Sequence, residues 1–133
     1  MSFFDTTFMI DLLREQRRGI EGRAHKKLHQ LGDTPVRLSF FVVCELEAGA
    51  ALSEEPEENQ RVQRICEQFE VLYPDERFAP IYGETLVALK RQRYTVATMD
   101  LLIGIQALVN DDIVITRNLR HFQKIPNLRV EDY

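Results

Sequence analysis

The sequence predicts an α/β fold, a three-layer α/β/α sandwich with a short-stranded, mainly parallel central sheet. Three observations lead there. Brief apolar runs of strand length recur along the chain. Segments with helically spaced apolar residues separate them. The chain has no repeat, no low-complexity tract and no Gly/Ser linker, so its 133 residues are expected to form a single domain, residues 1–133, with one core. Short apolar strands alternating with helices imply a parallel sheet covered on both sides.

Each element has its own local reason. Residues 2 to 5 read as a short buried strand. Thr6 and Thr7 can cap a following helix, to which Phe8, Ile10, Leu12 and Leu13 give an apolar side, and Arg17-Arg18-Gly19 ends it. A second helix is expected from about Ile20 to Leu31, stopped by Gly32-Asp33-Thr34-Pro35. Val36 to Leu38 is the second strand, and Ser39 caps a helix from Phe40 to Leu52. After an acidic link, residues 57 to 69 read as a helix and Glu70 to Tyr73 as a strand closed by Pro74-Asp75. Phe78 to Arg91 is helical. Thr98 to Asn110 is a helix apolar almost all round, which places it centrally. Asp111-Asp112 turns the chain into strand Ile113-Val114-Ile115; a short helix near His121-Phe122 and a last strand at Leu128-Arg129-Val130 follow.

Composition excludes several classes. With 44% hydrophobic and 29% charged residues, disorder of the bulk is not expected. Cys44 and Cys66 have no paired spacing, which argues against a disulfide framework or a cysteine zinc site and for a reducing, cytoplasmic setting. No apolar run is long enough to span a bilayer, and an acid at position 5 without a basic start is unlike a signal peptide. No glycine-rich phosphate loop is present, which argues against an ATPase. A net charge of −4 argues against a surface coated with positive charge, but basic groups occur at residues 14–27, at Lys90, Arg91 and Arg93, and at Arg117, Arg120 and Lys124. Each alone reads as a solvated face; together they can guide a polyanion.

The chemistry is carried by acids in costly places. Asp5 closes the apolar start Phe3-Phe4, Glu45 lies inside Phe40–Leu46, and Asp100 opens the run to Leu108. An unpaired carboxylate facing a core protonates or destabilises the fold. Singly, Asp5 can cap the first helix, Glu45 can pair with a buried Arg and Asp100 can be a helix N-cap. Three such acids across the chain point to one acidic cluster, and the usual reason to gather carboxylates is to hold a hard divalent cation. Sites in parallel sheets form beyond the carboxyl ends of the strands, which puts Asp5 together with Thr116-Arg117-Asn118. Asp111 and Asp112 precede their strand and are read as turn residues at the opposite edge. Gly49 beside Glu45, and Gly104 with Ala107 beside Asp100, leave space for an ion or a phosphate. His25 and His29 have i, i+4 spacing, but Lys26-Lys27 between them disfavours a metal. A Cys44–His121 nucleophile is disfavoured because Cys44 stands in an apolar run.

Four segments in order then resemble a known family, the PIN-domain nucleases and, among them, the VapC-type toxins of toxin–antitoxin pairs. They are Phe4-Asp5-Thr6-Thr7-Phe8-Met9-Ile10-Asp11-Leu12-Leu13, the helix Cys44-Glu45-Leu46-Glu47-Ala48-Gly49-Ala50, the helix Asp100-Leu101-Leu102-Ile103-Gly104-Ile105-Gln106-Ala107-Leu108, and the closing block from Ile113 through Thr116-Arg117-Asn118 to Phe122 with Pro126 to Tyr133. The chain departs from the pattern at Thr7 and Val42, and Asn118 stands at the family's fourth acidic position, which puts a firmly held second metal in question.

The resemblance implies a Mg²⁺- or Mn²⁺-dependent endoribonuclease that hydrolyses RNA phosphodiester bonds. Asp5 and Asp100 would ligate metal, and Glu45 would act through water or orient the nucleophile. Thr116 and Asn118 would hold metal-bound water or a phosphate oxygen, and Arg117 or Arg14 would contact RNA phosphates. It also implies a cognate antitoxin, whose C-terminal segment crosses the active-site groove, and a homodimer. The alternatives are a PIN-like RNA-binding or regulatory module that no longer cuts, and a nuclease for single-stranded or structured DNA.

Overall fold

Ser2–Phe4 forms the middle strand, β1, buried along its whole length in a computed structural model that describes residues 1–133. Val36–Ser39 (β2) and Ile113–Ile115 (β4) flank it, and Glu70–Leu72 (β3) and Arg129–Glu131 (β5) form the edges. The sheet order is β3-β2-β1-β4-β5, and every pairing is parallel, with Phe4 standing between Leu38 and Ile115. The helices are α1 (Thr6–Arg18), α2 (Arg23–Leu31), α3 (Phe40–Leu52), α4 (Glu58–Cys66), α5 (Phe78–Arg91), α6 (Thr98–Val109) and α7 (Leu119–Phe122).

This order fixes where a site can form. The chain steps outward from β1 to β2 to β3, then returns through α5 and α6 to β4 on the other side of β1. The direction of winding reverses between β1 and β4, and a crevice opens beyond the carboxyl ends of strands at such a reversal. Residues 5 and 116 are the first beyond those two ends.

Packing explains the strongest elements. Phe4 on β1 stacks on Phe8 of α1 with ring centroids 3.7 Å apart, so the first helix is seated on its own strand. α6 is central as expected, burying Leu101, Ile103, Gly104, Ile105, Gln106 and Ala107. The buried Gln106 is satisfied on both sides: it donates to the Leu72 carbonyl at 2.8 Å and accepts the Ser39 hydroxyl at 2.5 Å. These bonds tie α6 to the ends of β2 and β3.

Several expectations differ from the structure, each for a local reason. α2 starts at Arg23 rather than Ile20. The Glu15 carboxylate sets that start by accepting the backbone N–H groups of Gly22, Ala24 and His25 at 2.8, 3.0 and 3.0 Å. Burial raises the Glu15 pKa, but the hydrogen bonds from His25, Ala24 and Gly22 prevail and hold it below the ordinary value. His25 Nδ1 also lies 2.8 Å from Glu15 Oε1, which gives the histidine a structural partner in place of His29 and a metal. α4 is shorter than residues 57 to 69, because Phe69 closes a turn onto the Cys66 carbonyl at 3.1 Å. β3 ends at Leu72, and β5 lies one residue later than expected. Cys44 is exposed rather than set among apolar neighbours, and Asp100 is not a helix N-cap, since that position is Ala97.

Gly104 has a different purpose from the one its place beside Asp100 suggests. A Cβ there would run into Ile125 Cδ1 and stand 3.3 Å from Leu128 Cδ2. The space is filled by the chain that follows α7, not kept for an ion. Gly49 is open, with no neighbour in reach of an added Cβ, and lines a cavity with Glu45.

The amino end of the sheet carries an ion pair. Asp112, 3% exposed, receives Arg37 Nε at 3.0 Å and a second guanidinium nitrogen at 2.8 Å, in the side-by-side geometry that suits a carboxylate. The Met1 amine stands 3.8 Å from the same carboxylate. Asp112 therefore pins β2 to the start of β4, at the end of the sheet away from residue 5, and Asp111 turns the chain at φ 55°.

Candidate active site

Asp5 leaves β1 and becomes the N-cap of α1, with extended backbone angles of φ −81° and ψ 175°. One carboxylate oxygen accepts the Phe8 N–H at 2.8 Å, as a helix cap does, and the other accepts the Thr116 hydroxyl at 2.6 Å. The group is 2% exposed. Burial pushes its pKa up to about 6; the bonds from Thr116 and Phe8 oppose that rise, and the negative charges of Asp100 and Asp11 add to it.

Thr116 follows β4 and is fully buried. Its oxygen donates to Asp5 and accepts the Asn118 N–H at 2.8 Å, while the Asn118 amide donates to Thr7 Oγ1 at 3.2 Å. The loop after β4 is thereby sewn to the start of α1. Glu45, in the middle of α3, accepts the Thr6 hydroxyl at 2.6 Å, so the residue next to Asp5 draws it to the same rim. Asp100 lies in the first turn of α6, where a negative charge suits the helix dipole, and its carboxylate is 3.1 Å from His121 Nδ1 on α7.

Both candidate arginines lie against Asp11. Arg117 Nε lies 3.0 Å from Asp11 Oδ2, and Arg14 lies 3.4 Å from Asp11 Oδ1. The Tyr133 hydroxyl donates to Asp11 at 2.6 Å, and the Tyr133 ring meets Phe8 edge-on with centroids 4.7 Å apart. Burial, and donation to an anion, hold the Tyr133 phenol well above its ordinary pKa. Arg117 is thus a braced cation beside the crevice rather than a free arm. The sequence reading missed Asp11, Tyr133 and Thr6. Asp11 carried the signal used for Asp5, an acid inside the apolar run Met9–Leu13; Tyr133 had no local signal.

The donor set suits a hard cation in a particular way. As the side chains stand, no three acidic, histidine or cysteine groups are close enough to share one ion. Asp5 and Asp100 feel each other's charge, and the buried Asp5 lacks a cationic partner of its own. Mg²⁺ keeps several waters and is held by one or two carboxylates, a description that fits Asp5 with Asp100. Glu45 is occupied by the Thr6 hydroxyl.

A cavity of about 260 Å³ adjoins this rim between α1, α3 and α4. Ile10, Leu13, Leu46, Ala50 and Val62 give it an apolar floor, and Arg14, Arg17, Glu45 and Glu58 edge it with charge. Arg17 pairs with Glu58 at 2.8 Å.

Comparison with known proteins agrees with this architecture. Residues 2–128 match the PIN domain family. The chain is 31% identical to ribonuclease VapC1 of Haemophilus influenzae over 130 residues, which cover 97% of this chain and 95% of that one. It is 34% identical to the tRNA(fMet)-specific endonuclease VapC of Salmonella typhimurium over 97 residues, 72% of this chain and 74% of the relative. The structure of VapBC-1 from nontypeable Haemophilus influenzae superposes with a TM-score of 0.82 at 30% identity, covering 98% of this chain and 96% of that one. The chain belongs to the PIN-domain family and, within it, to the VapC ribonucleases.

Proposed function

We propose that the chain is a metal-dependent endoribonuclease acting as the toxin of a type II toxin–antitoxin pair. The observation that carries this reading is Asp5: a carboxylate buried at the sheet's reversal point, its pKa pushed to about 6, beside a second acid and in no salt bridge of its own. A fold keeps so costly a group where charge is needed. Asp5 and Asp100 would hold Mg²⁺ or Mn²⁺. Such an ion, when bound, lowers the pKa of water and stabilises charge on phosphate oxygens.

The chain's own residues do the rest. Thr116 fixes the Asp5 carboxylate by its hydrogen bond, so one oxygen is aimed and the other is spent on the helix cap. Asn118, held by Thr7 and Thr116, offers an amide toward a phosphate oxygen. Glu45 orients the attacking water and takes up its proton once Thr6 releases it. Arg117, braced by Asp11 and Tyr133, presents positive charge to the RNA backbone, with Arg14 in support.

The test is cleavage. The intact protein should cut RNA with Mg²⁺ or Mn²⁺ and stop with EDTA, and Asp100→Asn should lower the rate by about a hundredfold or more, the scale of removing one preorganised charge from a transition state. Initiator tRNA is the first RNA to try, given the Salmonella relative's name. Single-stranded and structured DNA run alongside separates an RNA enzyme from a DNA enzyme. Binding without any cleavage would make the chain a regulatory module instead.

The partners follow from two surfaces. The apolar cavity edged by Arg14, Arg17 and Glu58 suits an amphipathic segment of an antitoxin, and adding that antitoxin should shut off cleavage. Phe40, 38% exposed, lies 5.2 Å from the exposed Tyr73 ring and 5.9 Å from Phe41, so aromatic surface crosses α3 beside β3. We assign it to a homodimer contact. Sedimentation should find a dimer that Phe40→Glu converts to monomer; a variant that still sediments as a dimer would put the contact elsewhere. The two free thiols accord with work in a reducing cytoplasm.

A further inference from the structure

The cations of this acidic chain are not neutralised evenly. Arg14, Arg17, Arg37, Arg61, Arg77 and Arg129 each pair with a carboxylate. Lys90, Arg91, Arg93, Arg120 and Lys124 pair with none, and neither do Arg18, Arg23, Lys26 and Arg64 elsewhere on the chain, but Lys90, Arg91 and Arg93 share one stretch with a single acid. Between Glu84 and Asp111 the sole acid is Asp100. Uncompensated positive charge therefore gathers where α5 ends, α6 begins and α7 passes.

A cleft of about 420 Å³ lies there, walled by Tyr94, Arg120, His121, Gln123 and Lys124. Two contacts fasten it, one to the helix that carries Asp100 and one to the segment just before that helix. His121 Nδ1 stands 3.1 Å from the Asp100 carboxylate, and Lys124 donates to the Thr95 carbonyl at 3.3 Å. Tyr94 is 46% exposed, yet its backbone is pinned by a 2.9 Å bond from its N–H to the Leu89 carbonyl. The residue before it, Arg93, takes φ 58°, a left-handed position where glycine is usual after a helix. The chain accepts that cost at the residue just before Tyr94. An exposed aromatic on a fixed backbone, among unpaired cations, is what single-stranded nucleic acid recognises.

We propose that this cleft is a nucleotide subsite. The base of an RNA residue next to the cut stacks on Tyr94, and its phosphate lies against Arg120 and Lys124. The inference rests on the ribonuclease reading and adds a direction to it: the strand leaves Asp100 over α7. It also answers an electrostatic difficulty, since the carboxylates at residues 5, 45 and 100 would otherwise repel the polyanion they cut.

The experiment measures binding apart from cleavage. Asp5→Asn serves as the non-cutting parent, and the probe is a fluorescein-labelled single-stranded RNA of about 12 nucleotides followed by anisotropy. Tyr94→Ala should weaken binding about 5- to 100-fold, the range of one lost base stack, while Tyr94→Phe keeps it. Arg120→Ala with Lys124→Ala should lower the slope of log affinity against log salt by about 0.7, the value for one phosphate contact on a single strand. Arg64→Ala on α4 should change neither, and circular dichroism checks that each variant is folded. A parent that fails to bind, or folded Tyr94→Ala and Arg120→Ala/Lys124→Ala proteins that bind as the parent does, overturns the subsite. Metal-dependent cleavage by the intact protein is scored separately. Cleavage with unaltered binding in the variants removes the subsite and leaves the nuclease. Weakened binding in Tyr94→Ala without cleavage by the intact protein supports the subsite and removes the nuclease.

Discussion

Asp5→Asn should silence RNA cleavage and, in the same molecule, make the metal-free protein more stable. The silencing follows from losing a buried anion at the crevice. The stabilisation follows from its raised pKa. Asp5 titrates at about 6 in the fold against 3.8 as its reference value, so the folded state holds a proton that the unfolded chain has released. Stability from this group is complete below pH ~4, falls as pH rises toward ~6, and then levels off. The full difference is about 3 kcal/mol at ~1.36 kcal/mol per pH unit. Asparagine needs no proton and keeps the Phe8 bond, though it serves the Thr116 hydroxyl less well. The net gain at neutral pH should be about 1–3 kcal/mol, or ~3 °C or more in Tm for a domain this size. Urea unfolding in EDTA at mildly acidic and neutral pH checks both parts. A parent whose stability is flat across that interval, or a variant that is less stable at neutral pH, would contradict the account. Divalent metal should act the opposite way, stabilising the parent more than the variant and doing so best above pH ~6, where the ion need not displace a proton.

Asp112→Ala should show the reverse pattern, with stability lost and chemistry kept. Asp112 is nearly as buried as Asp5, but it has a two-point guanidinium partner in Arg37. Removing one side of such a pair strands the other, at a cost of about 3–5 kcal/mol. The pair stands before β4, whereas Asp5 and Thr116 stand beyond the opposite strand ends, so cleavage by the folded fraction in the cold should match the parent. Urea unfolding reads the stability change, and a loss under ~1 kcal/mol would mean that Arg37 finds water readily. The two aspartates are equally hidden, and their partners alone decide which one supports the fold and which one is expensive to it.

That distinction marks how far the sequence could be read. An acid within an apolar run is a local signal, and it singled out Asp5, Glu45 and Asp100 as candidates. The parallel sheet and the reversal rule then joined Asp5 to Thr116 and Asn118. The partner of each acid was not legible, because each comes from a distant part of the chain: Thr116 for Asp5, Thr6 for Glu45, His121 for Asp100 and Arg37 for Asp112. Tyr133 reaches Asp11 across almost the whole sequence, which no spacing rule anticipates. Glu15 shifted the start of α2 for the same reason, since a side chain on the preceding helix supplies its cap. Gly104 looked like room for a ligand beside Asp100, and only the packing of Ile125 shows that the room is taken.

The brevity of β1 has a consequence of its own. With Ser2–Phe4 as its whole length, the strand offers no slack to absorb an added or deleted residue. Side chains alternate between faces, so a slip of one position there would exchange Asp5 for a neighbour and turn the carboxylate out of the crevice. Fusion partners and purification tags therefore belong ahead of Met1 or at the other end of the chain, and an indel between residues 2 and 5 would erase the enzyme even where the sheet still formed.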